Sequence, residues 1–192
     1  MLTAGHLLDL PRHGGSWRVG ALLGEGGQGA VYELRSASRP GATLALKWYR
    51  PEAAHPDQRA ALTRLAQIPA PSDAFIWPLE VIDHGSAFGY VMALRPSHYV
   101  PIADLLNGST DASFSTVARL CIALADGFLQ LHTEGLCYRD ISLGNVFCDP
   151  ATGHPLICDN DNVGVEGKDP ARVLGTARFM APEIVRGALM RL

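Results

Sequence analysis

Apolar residues in the first half of the chain come in short runs broken by glycine and proline. Trp17-Arg18-Val19, Ala30-Val31-Tyr32-Glu33-Leu34 and Thr43-Leu44-Ala45-Leu46-Lys47-Trp48-Tyr49 are such runs, which predicts strands. From Pro56 to Ile68 the period changes: Ala61, Leu62, Leu65 and Ile68 fall at helical spacing, and Pro69-Ala70-Pro71 closes the helix. Two more strands are expected at Phe75 to Ile82 and Ala87 to Ala93, joined through Asp83-His84-Gly85. This half reads as an antiparallel meander with one inserted helix. The second half differs. A long helix capped by Ser113 or Ser115 should run to about His132, with Val117, Leu120, Leu124, Phe128 and Leu131 on one face and Gly135 as its stop. Only short strands follow, at Val146 to Cys148 and Leu156 to Cys158. The expected division is a loose leader over 1–15, a β-rich lobe over 16–94 and a helical lobe over 95–192.

Composition narrows the class. At 192 residues and 47% apolar the chain can bury a core, and 18% charged residues argue against a disordered tail. A formal charge of -3 with no basic stripe argues against nucleic acid as a partner. The greasiest stretch, Leu120 to Leu131, is interrupted by Asp126 and Gly127 and reads as too short to span a bilayer. No basic region precedes the apolar residues at the N-terminus, so no secretory signal and no membrane partner are expected, and a cytoplasmic location is. Cys121, Cys137, Cys148 and Cys158 form no metal-ligand pattern and read as buried small hydrophobes in a reducing compartment. The only lysines are Lys47 and Lys168, so an argument that needs a lysine at one position is a sharp one.

Five motifs occur in order. Gly24-Glu25-Gly26-Gly27-Gln28-Gly29-Ala30-Val31 is a G-x-G-x-x-G-x-V string, which lets backbone N–H groups approach phosphates unobstructed. Strand, not helix, follows it, which disfavours a dinucleotide-binding fingerprint. Lys47 lies on the third strand of the meander. Tyr138-Arg139-Asp140 precedes Asn145 by the spacing R-D-x-x-x-x-N; Asp159-Asn160-Asp161 follows a short strand; Gly175 to Glu183 ends in A-P-E.

This ordered set resembles the eukaryotic-like Ser/Thr protein kinases, over Trp17 to about Arg186. The resemblance implies an α+β, bilobal protein-kinase-like fold with an antiparallel β-rich N-lobe and a partial helical C-lobe. It implies ATP and Mg²⁺ as cofactors and a protein substrate. Gly24, Gly26 and Gly29 would cover the phosphates, Lys47 would hold them, Asn145 and Asp159 would ligate Mg²⁺, and Asp140 would take the hydroxyl proton. Adenine would sit among Leu23, Val31, Ala45 and Phe147, with its edge near Ala93 and Arg95 and Met92 as gatekeeper.

The sequence departs from the family in several places. Tyr138 replaces the histidine of H-R-D, and Ser142 stands where a phosphate-contacting lysine is usual, a loss that Arg178 would have to offset. Asn160 and Asp161 replace the Phe and Gly of D-F-G; Asp161 reads as a second metal ligand, a partner for Lys47, or a polar turn without a role. Between Glu52 and Glu80 there is no glutamate to pair with Lys47, leaving Asp159, Asp161 or Glu25 as counter-charge. No Ser, Thr or Tyr lies between Asn162 and Leu174, so switching by phosphorylation of that loop is not expected. The resemblance also implies helices after Glu183. A partner or further segment is therefore expected to complete the lobe, with apolar surface exposed on the long helix and around Ile184, Val185 and Leu189. Three functions stay open: an ATP-dependent protein kinase acting on Ser/Thr hydroxyls, a pseudokinase or nucleotide-binding regulatory module, and a small-molecule phosphotransferase, which the A-P-E segment disfavours.

Overall fold

A computed structural model describes residues 2–85, 87–165, 178–180 and 182. The chain forms two compact units, one of Met1–Pro69 with Trp77–Arg95, the other of Ala70–Ile76 with the chain from Pro96 onward. The first unit is a six-stranded antiparallel sheet: β1 (Leu7–Leu10), β2 (Gly15–Glu25), β3 (Gly29–Ser36), β4 (Thr43–Tyr49), β5 (Pro78–His84) and β6 (Ala87–Met92), in the order β1-β2-β3-β4-β6-β5. Alternation along the strands decides its faces. Ala30, Tyr32 and Leu34 of β3 join Trp17, Val19, Leu46, Trp48, Ile82 and Val91 in one core cluster. Between them, Val31 pairs in register with Lys47, and Lys47 with Tyr90, on the opposite face. Both faces of β4 are covered, which is why Ala45 through Tyr49 are all buried.

The segment expected to be a loose leader is instead an ordered edge strand. β1 pairs with the start of β2, Leu8 opposite Trp17, and Leu8 and Leu10 complete the core. A short 3-10 turn over Pro11–His13 then brings Arg12 to donate to the Ala66 carbonyl at 2.8 Å and His13 to the buried Glu80 carboxylate at 2.8 Å. Helix α1 (Pro56–Leu65) has proline in its first turn and buries Leu62 and Leu65. It ends before Ile68 because the chain tightens there: Ile68 N donates to Leu65 O, three residues back, and its side chain stays exposed.

The strand expected at Phe75 begins only at Pro78. Residues 74–76 bond instead to Ile157, whose N–H donates to Ala74 O and whose carbonyl accepts from Ile76 N, placing that apolar segment in the second unit. That unit contains β7 (Val100–Pro101), α2 (Ile102–Leu106), α3 (Phe114–Thr133), β8 (Leu136–Tyr138), β9 (Val146–Cys148), β10 (Pro155–Ile157) and β11 (Val163–Val165). β10, β9 and β7 form one small sheet; β11 and β8 form another. Ser113 caps α3, its hydroxyl accepting from Thr116 N at 3.1 Å.

α3 runs through Asp126 and Gly127 as the one long helix that the sequence pattern predicts. Asp126 is held on the surface by Gln130, and Gly127 fits where a Cβ would lie 3.4 Å from that of Ala74. By length and composition alone the 20-residue helix is apolar enough to cross a membrane. Only Thr116, Leu120, Gly127 and Leu131 are buried; Phe114, Val117, Ile122 and Leu129 are exposed, so the expected apolar surface is present on this helix, and Val117 lies outside the expected buried face. Ile184, Val185 and Leu189 lie outside the described residues. Of the cysteines, Cys137 and Cys148 are buried as expected, whereas Cys121 on α3 is exposed.

Candidate active site

In the first unit, cross-strand pairing puts most of the expected nucleotide residues on one sheet face. Ala45 pairs with Met92 and Lys47 with both Val31 and Tyr90. Leu23 lies in the register break of β2 between Leu22 and Gly24 and is half exposed. Ala93 and Arg95 follow β6 in irregular chain. The three motif glycines are not equivalent. A Cβ on Gly29 would fall 2.1 Å from the Trp48 carbonyl oxygen, so close strand approach demands glycine there. Gly24 and Gly26 face open space.

Lys47 is 5% exposed. Its ammonium donates to Gln28 Oε1 at 3.2 Å and lies 5.7 Å from the Tyr49 ring centre. Glu25, one of the expected counter-charges, pairs instead with Arg50 at 2.6 Å. Gln28 also accepts from Arg50 through its backbone carbonyl, so the glycine-rich turn is tied to the end of β4 twice.

In the second unit, Tyr138 ends β8 and the chain turns through Arg139 and Asp140 to a 3-10 turn over Leu143–Asn145. Asn145 Nδ2 donates to the Asp140 carbonyl at 2.8 Å and to its Oδ2 at 3.2 Å. The Asn145 carbonyl accepts from Cys158 N at 2.8 Å, which brings the loop beside Asp159. The Tyr138 hydroxyl donates to Cys158 O at 2.6 Å. Burial, first, and then the carboxylates of Asp159, Asp140 and Asp161 push the Tyr138 phenol far above its ordinary range. Three carboxylates therefore act on one hydroxyl, which stays a donor at any working pH. Ser142 is half-buried at the start of the 3-10 turn and Arg178 is exposed. Phe147 sits in β9 opposite Leu156 and Pro101, half-buried.

Asp159 takes a left-handed conformation, φ 53° and ψ 44°, the one non-glycine residue with positive φ among those described. Such a position costs roughly 1 kcal/mol or more and persists where surroundings enforce it. The enforcement comes from the next residue. Asn160, fully buried, donates Nδ2 to Ile76 O at 2.8 Å and to Ile157 O at 2.9 Å. Asn160 thereby fastens the 74–76 segment to β10. Asp161 and Asn162 are buried behind it. Among the described residues no group of three His, Cys, Asp or Glu side chains is set to hold a metal ion. Thr176 and Glu183 lie outside the described residues.

A family model for the protein kinase domain matches residues 17–190. The chain belongs to the protein kinase family. Its α+β fold is that of the family, with an antiparallel β-rich first unit. Among its relatives are the mitogen-activated protein kinase kinase kinase MCK1 of Pyricularia oryzae, 28% identical over 88% of this chain and 12% of that protein. The DNA damage-responsive serine/threonine-protein kinase RqkA of Deinococcus radiodurans is 29% identical over 97% of this chain and 28% of its own length. Protein kinase MCK1 of Saccharomyces cerevisiae is 41% identical over 33% of this chain and 18% of that protein. The kinase chain thus spans a tenth to an eighth of the length of the first relatives it matches.

The groups around the kinase lysine include two that pattern reading passed over. Gln28 lies inside the glycine string, and Tyr49 lies two residues beyond Lys47 on the same strand face, the one available signal.

Proposed function

We propose that this chain is an ATP- and Mg²⁺-dependent protein kinase that transfers the γ-phosphoryl group to Ser/Thr hydroxyls of protein substrates. The observation that carries the reading is the junction of Asp140, Asn145 and Asp159 within the second unit. Asn145 commits its NH₂ end to Asp140, which leaves the amide oxygen as acceptor, and Asp159 adds a carboxylate one residue past Cys158. Hard oxygen ligands of this kind suit Mg²⁺. Open space at Gly24 and Gly26 leaves room for phosphates over the glycine-rich turn, which is closed by the Gly26 N–H donating to Gly29 O at 2.9 Å.

Magnesium-bound ATP supplies the transferable phosphoryl group and the cation that neutralises it. The protein supplies position and charge. Lys47 brings its buried ammonium to the α/β-phosphates. Asp140, held by Asn145, orients the substrate hydroxyl and accepts its proton at a carboxylate oxygen. Val31, Ala45 and Met92 give adenine an apolar face, with Leu23 and Phe147 assigned to the same ring and backbone near Ala93 and Arg95 to its edge.

A nucleotide-sensing pseudokinase is the second reading, favoured by the buried Asn160 and Asp161 in place of D-F-G. Phosphotransfer from γ-labelled ATP to a generic protein substrate separates the two. Transfer by the wild type, abolished in Asp140→Ala, supports the kinase. Nucleotide binding without transfer in either protein supports the second reading.

A further inference from the structure

Helix α1 carries one carboxylate, Asp57, and it is exposed at the first turn. The next residue, Gln58, is half-buried and donates Nε2 to the Tyr49 hydroxyl at 3.2 Å. Tyr49 is 1% exposed, wedged between Phe88 at 4.9 Å and Tyr90 at 6.3 Å between ring centres. The Lys47 ammonium lies against that same ring, with Gln28 Oε1 on it. Gln28, Lys47, Tyr49 and Gln58 thus form a continuous line from the glycine-rich turn, through β4, to α1.

We propose that α1 positions Lys47 through this line, by the Gln58 amide acting on the Tyr49 hydroxyl and the Tyr49 ring acting on the ammonium, making Gln58 and Tyr49 positioning residues for the phosphate-binding lysine. Its functional consequence rests on the kinase reading; the linkage itself does not. A ring attracts a cation through its quadrupole without neutralising it. The grip from α1 is therefore geometric: displacing the helix would tilt the phenol and move the ammonium. Gln28 holds the other side. Being on the glycine-rich turn, it would release or follow Lys47 as that turn moves.

Lys47 and Lys168 being the only lysines, amine acylation read by mass spectrometry reports each separately, with Lys168 as the internal reference. The full chain is treated with a small acylating reagent as wild type, Gln58→Leu, Tyr49→Phe, the double variant and Gln58→Glu, which can still bond the phenol by accepting from it. Cooperative melting is checked for each. The expected result is a Lys47 acylation rate raised about threefold or more in each single variant. The double variant should be no faster than the singles, Gln58→Glu close to wild type and Lys168 unchanged. Unaltered Lys47 rates in folded Gln58→Leu and Tyr49→Phe, or multiplicative effects in the double variant, overturn the linkage. If Tyr49→Phe does not melt cooperatively, Gln58→Leu against Gln58→Glu decides alone. Adding Mg²⁺-ATP to the wild type keeps the two ideas apart. Protection of Lys47 with unaltered variant rates sinks the linkage and spares the kinase reading; altered variant rates without protection do the reverse.

Discussion

Asn145 Nδ2 spans the carbonyl of Asp140 at 2.8 Å and its carboxylate at 3.2 Å, so one side chain fixes both the loop and the proposed base. Asn145→Ala removes both bonds and should cost about 1–2 kcal/mol of stability. Asn145→Asp should cost more, because it removes the donor and sets a second carboxylate against Asp140. Denaturant melts of the three proteins check the order, with wild type most stable and Asn145→Asp least.

Tyr138 gives a pH signature. Its phenol is held above the free value of 10.0, mainly by burial and then by Asp159, Asp140 and Asp161. Below that pH neither state ionises and the contribution is whole; above it the unfolded chain loses the proton while the folded chain keeps it, so stability falls. Between pH 10 and 11 the wild type should lose about 1 kcal/mol more than Tyr138→Phe. Urea melts across that range check it; parallel losses in the two proteins would contradict it.

The glycines of the first motif should separate into two kinds. Gly29→Ala drives a Cβ to 2.1 Å from the Trp48 carbonyl oxygen and should destabilise the first unit by about 2 kcal/mol or more. Gly24→Ala and Gly26→Ala meet nothing within 4 Å and should stay within about 0.5 kcal/mol of wild type. Their effect should appear in ATP affinity. Thermal melts alongside nucleotide titration distinguish the classes.

Asn160→Phe restores the family's usual residue and should nevertheless harm this protein. It removes the amide bonded to Ile76 O and Ile157 O and brings a larger side chain into a fully buried site. A loss of about 2–3 kcal/mol is expected. An unchanged denaturation midpoint would show that the clamp contributes nothing.

The meander was legible because its strands carry their own punctuation: Thr43–Tyr49 emerged with both ends as read, bounded by Gly41 before and Pro51 after. The motif residues were legible because spacing encodes them, and Asn145 and Asp140 do meet. What escaped depends on tertiary partners. Leu7–Leu10 looks loose until Trp17 covers it, and Phe75-Ile76 looks like the start of β5 until Ile157 claims its backbone. Local pattern carries no record of which neighbour wins. Similarly, the absence of a glutamate on α1 is plain in the sequence, but that Gln28 and Tyr49 are among the side chains meeting Lys47 is not, since they act through space.

The most direct test of the account is labelling by an ATP-derived, lysine-directed acyl phosphate. The account predicts acylation of Lys47 in preference to Lys168, suppressed by excess Mg²⁺-ATP and weakened in Asp159→Ala. Equal labelling of the two lysines, indifferent to Mg²⁺-ATP, would contradict it.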